Sequence, residues 1–299
     1  MRLLRAATLT VADPESSARG YVEWLGYRVV ERGRVDPGLA ASWAAPRAGG
    51  RRFIVLEPAS GAPVMLRLIE GDTPASFRPL RTFGWAALEI CVQNVLAVEE
   101  RLRSSPFEII GPPREIAGLP SIFPMQVRGP DREIVYLTEI RGDLPSYDLP
   151  RAAAPIDKLF ILVLACSDLE GSLAWFEKHA RLTVGRRMRI VYTMLAKAFD
   201  LPASDLHEIA TMVHERDVFL ELDQYPSAAT SRASESGDLP PGICLATLAH
   251  PQFDRIPGPW LAPPACRSGR VYGGRLAGTL RAPDGTLVEL VESDGPKRL

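Results

Sequence analysis

At 299 residues, 46% of them hydrophobic, the chain is long for one domain and sufficient for two cores. Its 35 Lys and Arg stand against 36 Asp and Glu, which excludes the charge footprint of a nucleic-acid or anionic-membrane partner and points to a small-molecule substrate or ligand. Cys91, Cys166, Cys244 and Cys266 form no close-set pair and read as reduced thiols, and the N-terminus "MRLLRAATLTVADPE" lacks a leader pattern, so a cytoplasmic protein is expected.

The first elements lie in "ATLTVADPESSARGYVEWLGYRVVERG", from Ala7: an apolar strand, an aspartate, an amphipathic helix and a second strand. Asp13 has the position and chemistry of a helix N-cap, and Tyr21, Trp24 and Leu25 follow at helical spacing. The strand "APVMLRLIEG" closes this unit near residue 71, and "WAALEICVQNVLAVEERLRS" opens another that ends in "IVYLTEI" at residue 140. From Leu162 the plan returns in "LVLACSDLEGSLAWFEKHARLTVGRR", with Asp168 and Ser172 in the places of Asp13 and Ser17. "RDVFLELDQY" closes that third unit, and "ICLATLAHPQFDRI" through "LVELVES" forms a fourth.

The chain therefore reads as an α+β protein of four βαβββ modules, 1–71, 80–141, 157–225 and 240–293. The Pro- and Ala-rich segment 142–156 divides them two and two, giving domains 1–141 and 157–299. In each domain the two modules are expected to pair around a strongly curved mixed sheet.

Paired modules of this plan, beginning "LTVADPESSARGYVEWLGYRVVE" and ending "APDGTLVELVE", resemble the vicinal oxygen chelate superfamily of glyoxalases, epimerases, extradiol dioxygenases and bleomycin-resistance proteins. The two-domain layout is most similar to that of the dioxygenases. The resemblance implies a divalent metal in a cup, held from the first and last strands of two modules. Carried over to the second domain, those positions fall on Ile161, Glu221, Ile243 or Leu245, and Glu289; in the first they fall on Ala6, Arg67, Ala87 and Tyr136. No two-His-one-carboxylate centre can be assembled from these, so no cofactor is expected; a metal, if held, would fall to Glu289, Glu221 and His207.

Function is accordingly expected in the C-terminal cup. Glu289 and Glu221 would face one cavity as a carboxylate acid–base pair acting on a small, largely apolar carbonyl or phenolic compound, in lyase or isomerase chemistry. Non-catalytic ligand binding, or a metal-dependent reaction of the usual kind, are the alternatives. Arg186, Arg187 or Arg189 could neutralise either glutamate. His207 is the one histidine placed to act as a ligand or acid–base group, His179, His214 and His250 being read as solvated or terminal. The insertion 189–208 could cover the cup and present the Tyr192 hydroxyl. In the first domain, Tyr136 marks a cup without metal function and Glu89 is expected to pair with Arg67. A homodimer is compatible with all of this.

Overall fold

A computed structural model of the chain describes residues 3–232 and 234–293. All four modules are present. The first comprises β1 (Leu4–Val11), α1 (Pro14–Leu25), β2 (Tyr27–Arg34), α2 (Pro37–Ser42), β3 (Arg52–Pro58) and β4 (Met65–Glu70). The second has β5 (Gly84–Val92), α3 (Val95–Leu102), β6 (Glu108–Gly111), β7 (Ile122–Arg128) and β8 (Ile134–Ile140). The third has β9 (Ile156–Cys166), α4 (Leu169–Ala180), β10 (Thr183–Val191), α5 (Thr193–Ala198), β11 (Leu206–His214) and β12 (Asp217–Gln224). The fourth, whose helix is reduced to a single short turn, has β13 (Gly242–His250), β14 (Ala265–Cys266), β15 (Leu276–Arg281) and β16 (Leu287–Glu292).

The helices start where the sequence says they should. The Asp13 carboxylate accepts from Glu15 N at 3.2 Å, and Asp168 accepts from Gly171 N at 3.0 Å, each satisfying a donor that the first helical turn leaves free. Gly26 closes α1 in the left-handed region that glycine adopts without steric cost.

The pairing of modules differs from the expected two-and-two division. One eight-stranded sheet runs β14-β15-β16-β13-β1-β4-β3-β2 and joins modules one and four; the other runs β10-β11-β12-β9-β5-β8-β7-β6 and joins modules two and three. The seams are antiparallel, β1 on β13 and β5 on β9. The segment 142–156 therefore connects two modules of the same sheet, and the crossings between sheets are 71–83 and 225–241, which meet where Thr82 bridges Thr230. Pro and Ala mark a connection; they carry no information about which strand edge the next module will join. The inner pair of modules is nested between the outer pair along the sequence.

Each sheet has one face toward the other and one concave face turned away. Leu9, Leu66 and Leu68 of the first sheet share a core with Leu88, Leu162 and Leu222 of the second, and Tyr21, Leu25, Val98, Leu173 and Phe176 from the helices fill it. Polar ties cross the same boundary: Tyr27 OH donates to Asp157 O at 2.9 Å, Tyr21 OH to Glu133 at 3.0 Å and Trp85 Nε1 to Leu287 O at 2.9 Å. The alternate residues of each strand line the two cups.

Candidate binding sites in two cups

Strand parity brings the closing-strand residues of modules one and four together in the first cup. Thr8 lies beside Arg67 in the β1–β4 ladder, and Thr247 beside Glu289 in the β13–β16 ladder. Glu289 is 1% exposed and Arg67 3%, so neither charge could be tolerated alone. The Glu289 carboxylate accepts from Trp43 Nε1 at 2.8 Å, from Thr247 Oγ1 at 2.8 Å and from Tyr272 OH at 3.1 and 3.2 Å, with Arg67 Nη2 at 3.6 Å. Arg67 donates from Nη1 to Tyr272 OH at 2.6 Å and from Nε to Thr8 Oγ1 at 3.0 Å, with its guanidinium carbon 4.7 Å from the Trp43 ring centre. Its Nη2 makes no hydrogen bond. Burial opposes the arginine charge, but Tyr272 and Glu289 more than offset it and the pKa is raised; burial pushes the Tyr272 phenol upward.

Above this cluster is a cavity of about 400 Å³. Leu39, Trp43, Phe53, Val55 and Val271 give it apolar walls; Arg34, Asp36, Glu31 and Arg267 give it a charged rim, and the exposed thiol of Cys266 stands among them. The α2 insertion delivers Trp43, and the loop between β14 and β15 delivers Tyr272. Neither was singled out from sequence, because both arrive on irregular segments with no period to follow. The inward threonines lie two residues beyond the expected Ala6, and two or four beyond the expected Leu245 or Ile243, and on β1 one register shift precedes Ala6 and another follows Thr8.

The second cup has a different charge pattern. Glu221 faces it from β12, Glu89 and Tyr136 from the adjoining strands β5 and β8, and Asp223 lies two residues beyond Glu221. Glu289 and Glu221, expected to share one cavity, are therefore in different sheets, because their modules do not pair. The expected Glu89–Arg67 bridge fails for the same reason, Arg67 being engaged by Glu289. Arg187 pairs with Glu170, and Arg189 with Glu208, away from both candidate glutamates.

Burial pushes Glu89 up to about 7 although Thr138 Oγ1 donates to it at 2.6 Å. Burial raises Asp223 to about 8, and burial followed by the charges of Asp223 and Glu89 raises Glu221 well above the usual carboxylate range. Tyr192 is buried here, its hydroxyl bonded to that of Tyr136, so it meets the closing strand of module two. Tyr136 thus belongs to the same cup as Glu221. Met194, Leu195 and Phe199 of the α5 segment pack with Ile161, Val163 and Tyr225 against the concave face. His207 is 7% exposed, with its Nε2 unpartnered and its ring edge-on to Tyr192 at 6.3 Å.

His179 and His250 are held in structural hydrogen bonds. His179 Nδ1 meets Gly258 O at 2.8 Å. His250, expected to be exposed, is 1% exposed; its Nε2 meets Ala180 O at 3.0 Å while Nδ1 accepts from Gln252 N at 3.1 Å, and burial pushes its pKa down to about 4. A strand end before proline looked open in sequence, but the end of α4 packs over it.

Neither donor set fits a divalent metal. The first cup offers one carboxylate, already saturated with donors, and a guanidinium beside it. In the second, no group of three His, Cys, Asp or Glu converges closely enough to hold an ion, among the described residues. No helix of the described residues is long and apolar enough to cross a membrane.

Neither a protein-family model nor any curated protein matches the sequence. Solved structures do match. Glyoxalase I from Zea mays aligns over 98% of this chain and 92% of its own, with TM-score 0.63 and 17% identity. A suggested dioxygenase from Bacillus subtilis subsp. subtilis str. 168 aligns over 97% of this chain and 85% of its own, with TM-score 0.59 and 13% identity. At such identities the likeness carries architecture and not chemistry: the chain has the fold of the vicinal oxygen chelate superfamily.

Proposed function

We propose that the first cup binds a small, largely apolar compound carrying a carbonyl or phenolic oxygen, and holds it without transforming it. The observation that carries this reading is the cavity of about 400 Å³, walled by apolar side chains, that ends on the guanidinium of Arg67. Its size lies within the range of small-molecule sites, and its make-up is theirs: apolar walls with a few fixed polar groups. A carbonyl or phenolate oxygen would be drawn to the positive end of the cavity at Arg67 while the Trp43 and Phe53 rings contact the ligand body. Glu289 is poorly disposed to act as a base, since four hydrogen bonds and an ion pair occupy its oxygens and leave it no access to a substrate proton. Its role is to hold Arg67 and Tyr272 in place.

The test is tryptophan-fluorescence titration with a panel of phenols and aryl ketones, followed by chromatography of each bound compound after prolonged incubation. Saturable binding is expected, with the compound recovered unchanged. Leu39→Trp, which fills the cavity from its wall without touching Arg67 or Glu289, should weaken binding at least tenfold. Conversion of the compound would overturn the non-catalytic reading, and undiminished binding by Leu39→Trp would put the ligand elsewhere.

A further inference from the structure

The first cup is walled on one side by the α2 insertion and on another by the β14–β15 loop, and these two walls are joined at two levels. At the floor, the buried Glu289 carboxylate accepts from Trp43 Nε1 of one and Tyr272 OH of the other, at 2.8 and 3.1 Å. At the rim, one side chain makes the join. Arg267 donates from Nη2 to Gly38 O at 3.1 Å and sets Nη1 3.6 Å from the carboxylate of Asp36, an exposed side chain. An arginine at a cavity rim ordinarily extends its head into water. This one lies down: its side chain is only 15% exposed, and its buried Nε has no hydrogen-bond partner.

The walls themselves are fastened elsewhere. The α2 insertion is closed at its base, where Val35 N donates to Arg51 O at 2.9 Å and Gly50 N to Val35 O at 2.8 Å. The β14–β15 loop is closed in the same way by Arg267 N on Arg275 O and Gly274 N on Arg267 O, both at 2.9 Å. Module one holds that loop through Arg270, whose N donates to Glu31 at 2.7 Å and whose Nη2 donates to Glu57 at 3.0 Å. Arg5 adds bonds to Val271 O and Arg270 O at 2.9 and 2.8 Å. Both backbones are therefore fixed at the rim. The Arg267 side chain is not, since turning about its own torsions gives up one hydrogen bond and one ion pair to an exposed partner, both of which water replaces.

We infer that the Arg267 side chain is the gate of the first cup: it bars the mouth between α2 and the β14–β15 loop, and swings outward to admit and release the ligand. This rests on the reading of that cup as the binding site. A gate has a kinetic signature that a ligand contact lacks. If the same bolt closes the cup with and without its occupant, loosening it raises the entry and exit rates by one factor and leaves the affinity where it was. Loss of a contact instead raises the exit rate and lowers affinity, with entry unchanged. Salt acts in the direction of loosening, because the attraction of exposed Asp36 for Arg267 is screened.

Stopped-flow tryptophan fluorescence of the full chain, with the phenols and aryl ketones that bind, measures both rates. Arg267→Ala should raise association and dissociation together, by at least about fivefold, with Kd changed less than about twofold. Asp36→Asn keeps a capping side chain for α2 but removes the charge, and should raise both rates about two- to fivefold. Raising NaCl from about 0.05 to 1 M should speed exchange in the wild-type chain and not in Arg267→Ala. A weakened Kd with unchanged association would make Arg267 a ligand contact and overturn the inference, as would unchanged rates in both variants. A readout without ligand separates this inference from the reading beneath it. Val55 is buried on the cavity wall; after Val55→Cys, the rate at which methyl methanethiosulfonate modifies the new thiol is followed by peptide mass spectrometry. Adding Arg267→Ala should speed that modification at least about fivefold, the same factor as for ligand entry. If no compound binds but labelling accelerates, the gate stands and the ligand class is wrong; equal labelling overturns the gate whatever binds.

Discussion

Glu289→Gln is expected to destabilise the protein by about 3 to 5 kcal/mol, the usual result of leaving one half of a buried ion pair without the other. The substitution nearly preserves volume, and read from sequence alone it should leave the fold intact. The structure changes that expectation: Glu289 ties the α2 insertion through Trp43, the β14–β15 loop through Tyr272, and two strands through Thr247 and Arg67. An amide at this position would present an N–H₂ group to Arg67 and Tyr272, which already donate toward it. Arg67→Leu should cost a similar amount from the other side. The double variant Arg67→Leu with Glu289→Leu removes both charges and should cost less than the two single changes summed, by at least about 1 kcal/mol. Urea denaturation of the four proteins measures the coupling. A value near zero would mean that the pair is held by its surroundings and contributes nothing as a pair.

That cluster shows where sequence stops specifying structure. The modules could be read from strand–helix–strand periodicity and from Asp13 and Asp168, because capping and amphipathicity are local properties. The inward direction of Glu289 was also legible, since alternation along Leu287, Glu289 and Val291 fixes its face. Which cup it faces was not. All nine residues of β5 are buried, as are ten of the eleven in β9, so neither strand carries a polar side that would distinguish one apolar edge from another as its neighbour. The seam of the first sheet joins Thr8 to Leu245 across most of the chain, a separation over which no local pattern reports. Trp43 and Tyr272 were missed for a related reason: their contribution depends on loop paths. Insertion 189–208 was visible because it carries helical spacing, yet its partner Tyr136 could be recognised only once modules two and three had been joined.

The second expected large effect is a loss of stability with rising pH, centred on the second cup. Asp223 is pushed up to about 8 and Glu89 to about 7 in the folded protein, Glu221 is raised well above the usual range, and Glu133, buried beneath Tyr21, is pushed up to about 8. In the unfolded chain these groups titrate near 4. Between pH 4 and 8 the folded state therefore binds more protons than the unfolded state, and stability falls as pH rises. Their contribution is whole below the unfolded values and is lost as pH passes through the folded ones, above which the slope levels off. His250 acts in the opposite sense: its pKa is pushed down to about 4, so its contribution is present above about 6.5 and is lost as pH falls through 4. Burial lowers His207 as well, and two histidines against four carboxyls still leave the net slope negative over most of this span. The protein should be several kcal/mol more stable at pH 5 than at pH 8.5, since each tenfold change in a buried group's proton affinity on folding is worth about 1.4 kcal/mol at full effect. Asp223→Asn with Glu89→Gln should flatten the dependence, since neither replacement titrates. Urea midpoints at half-unit pH intervals from 5 to 9 give the measurement. Stability that is level or rises across that interval, in the wild-type chain, would mean that the three acids of the cup are already ionised and that water or a counter-ion reaches them past the α5 segment.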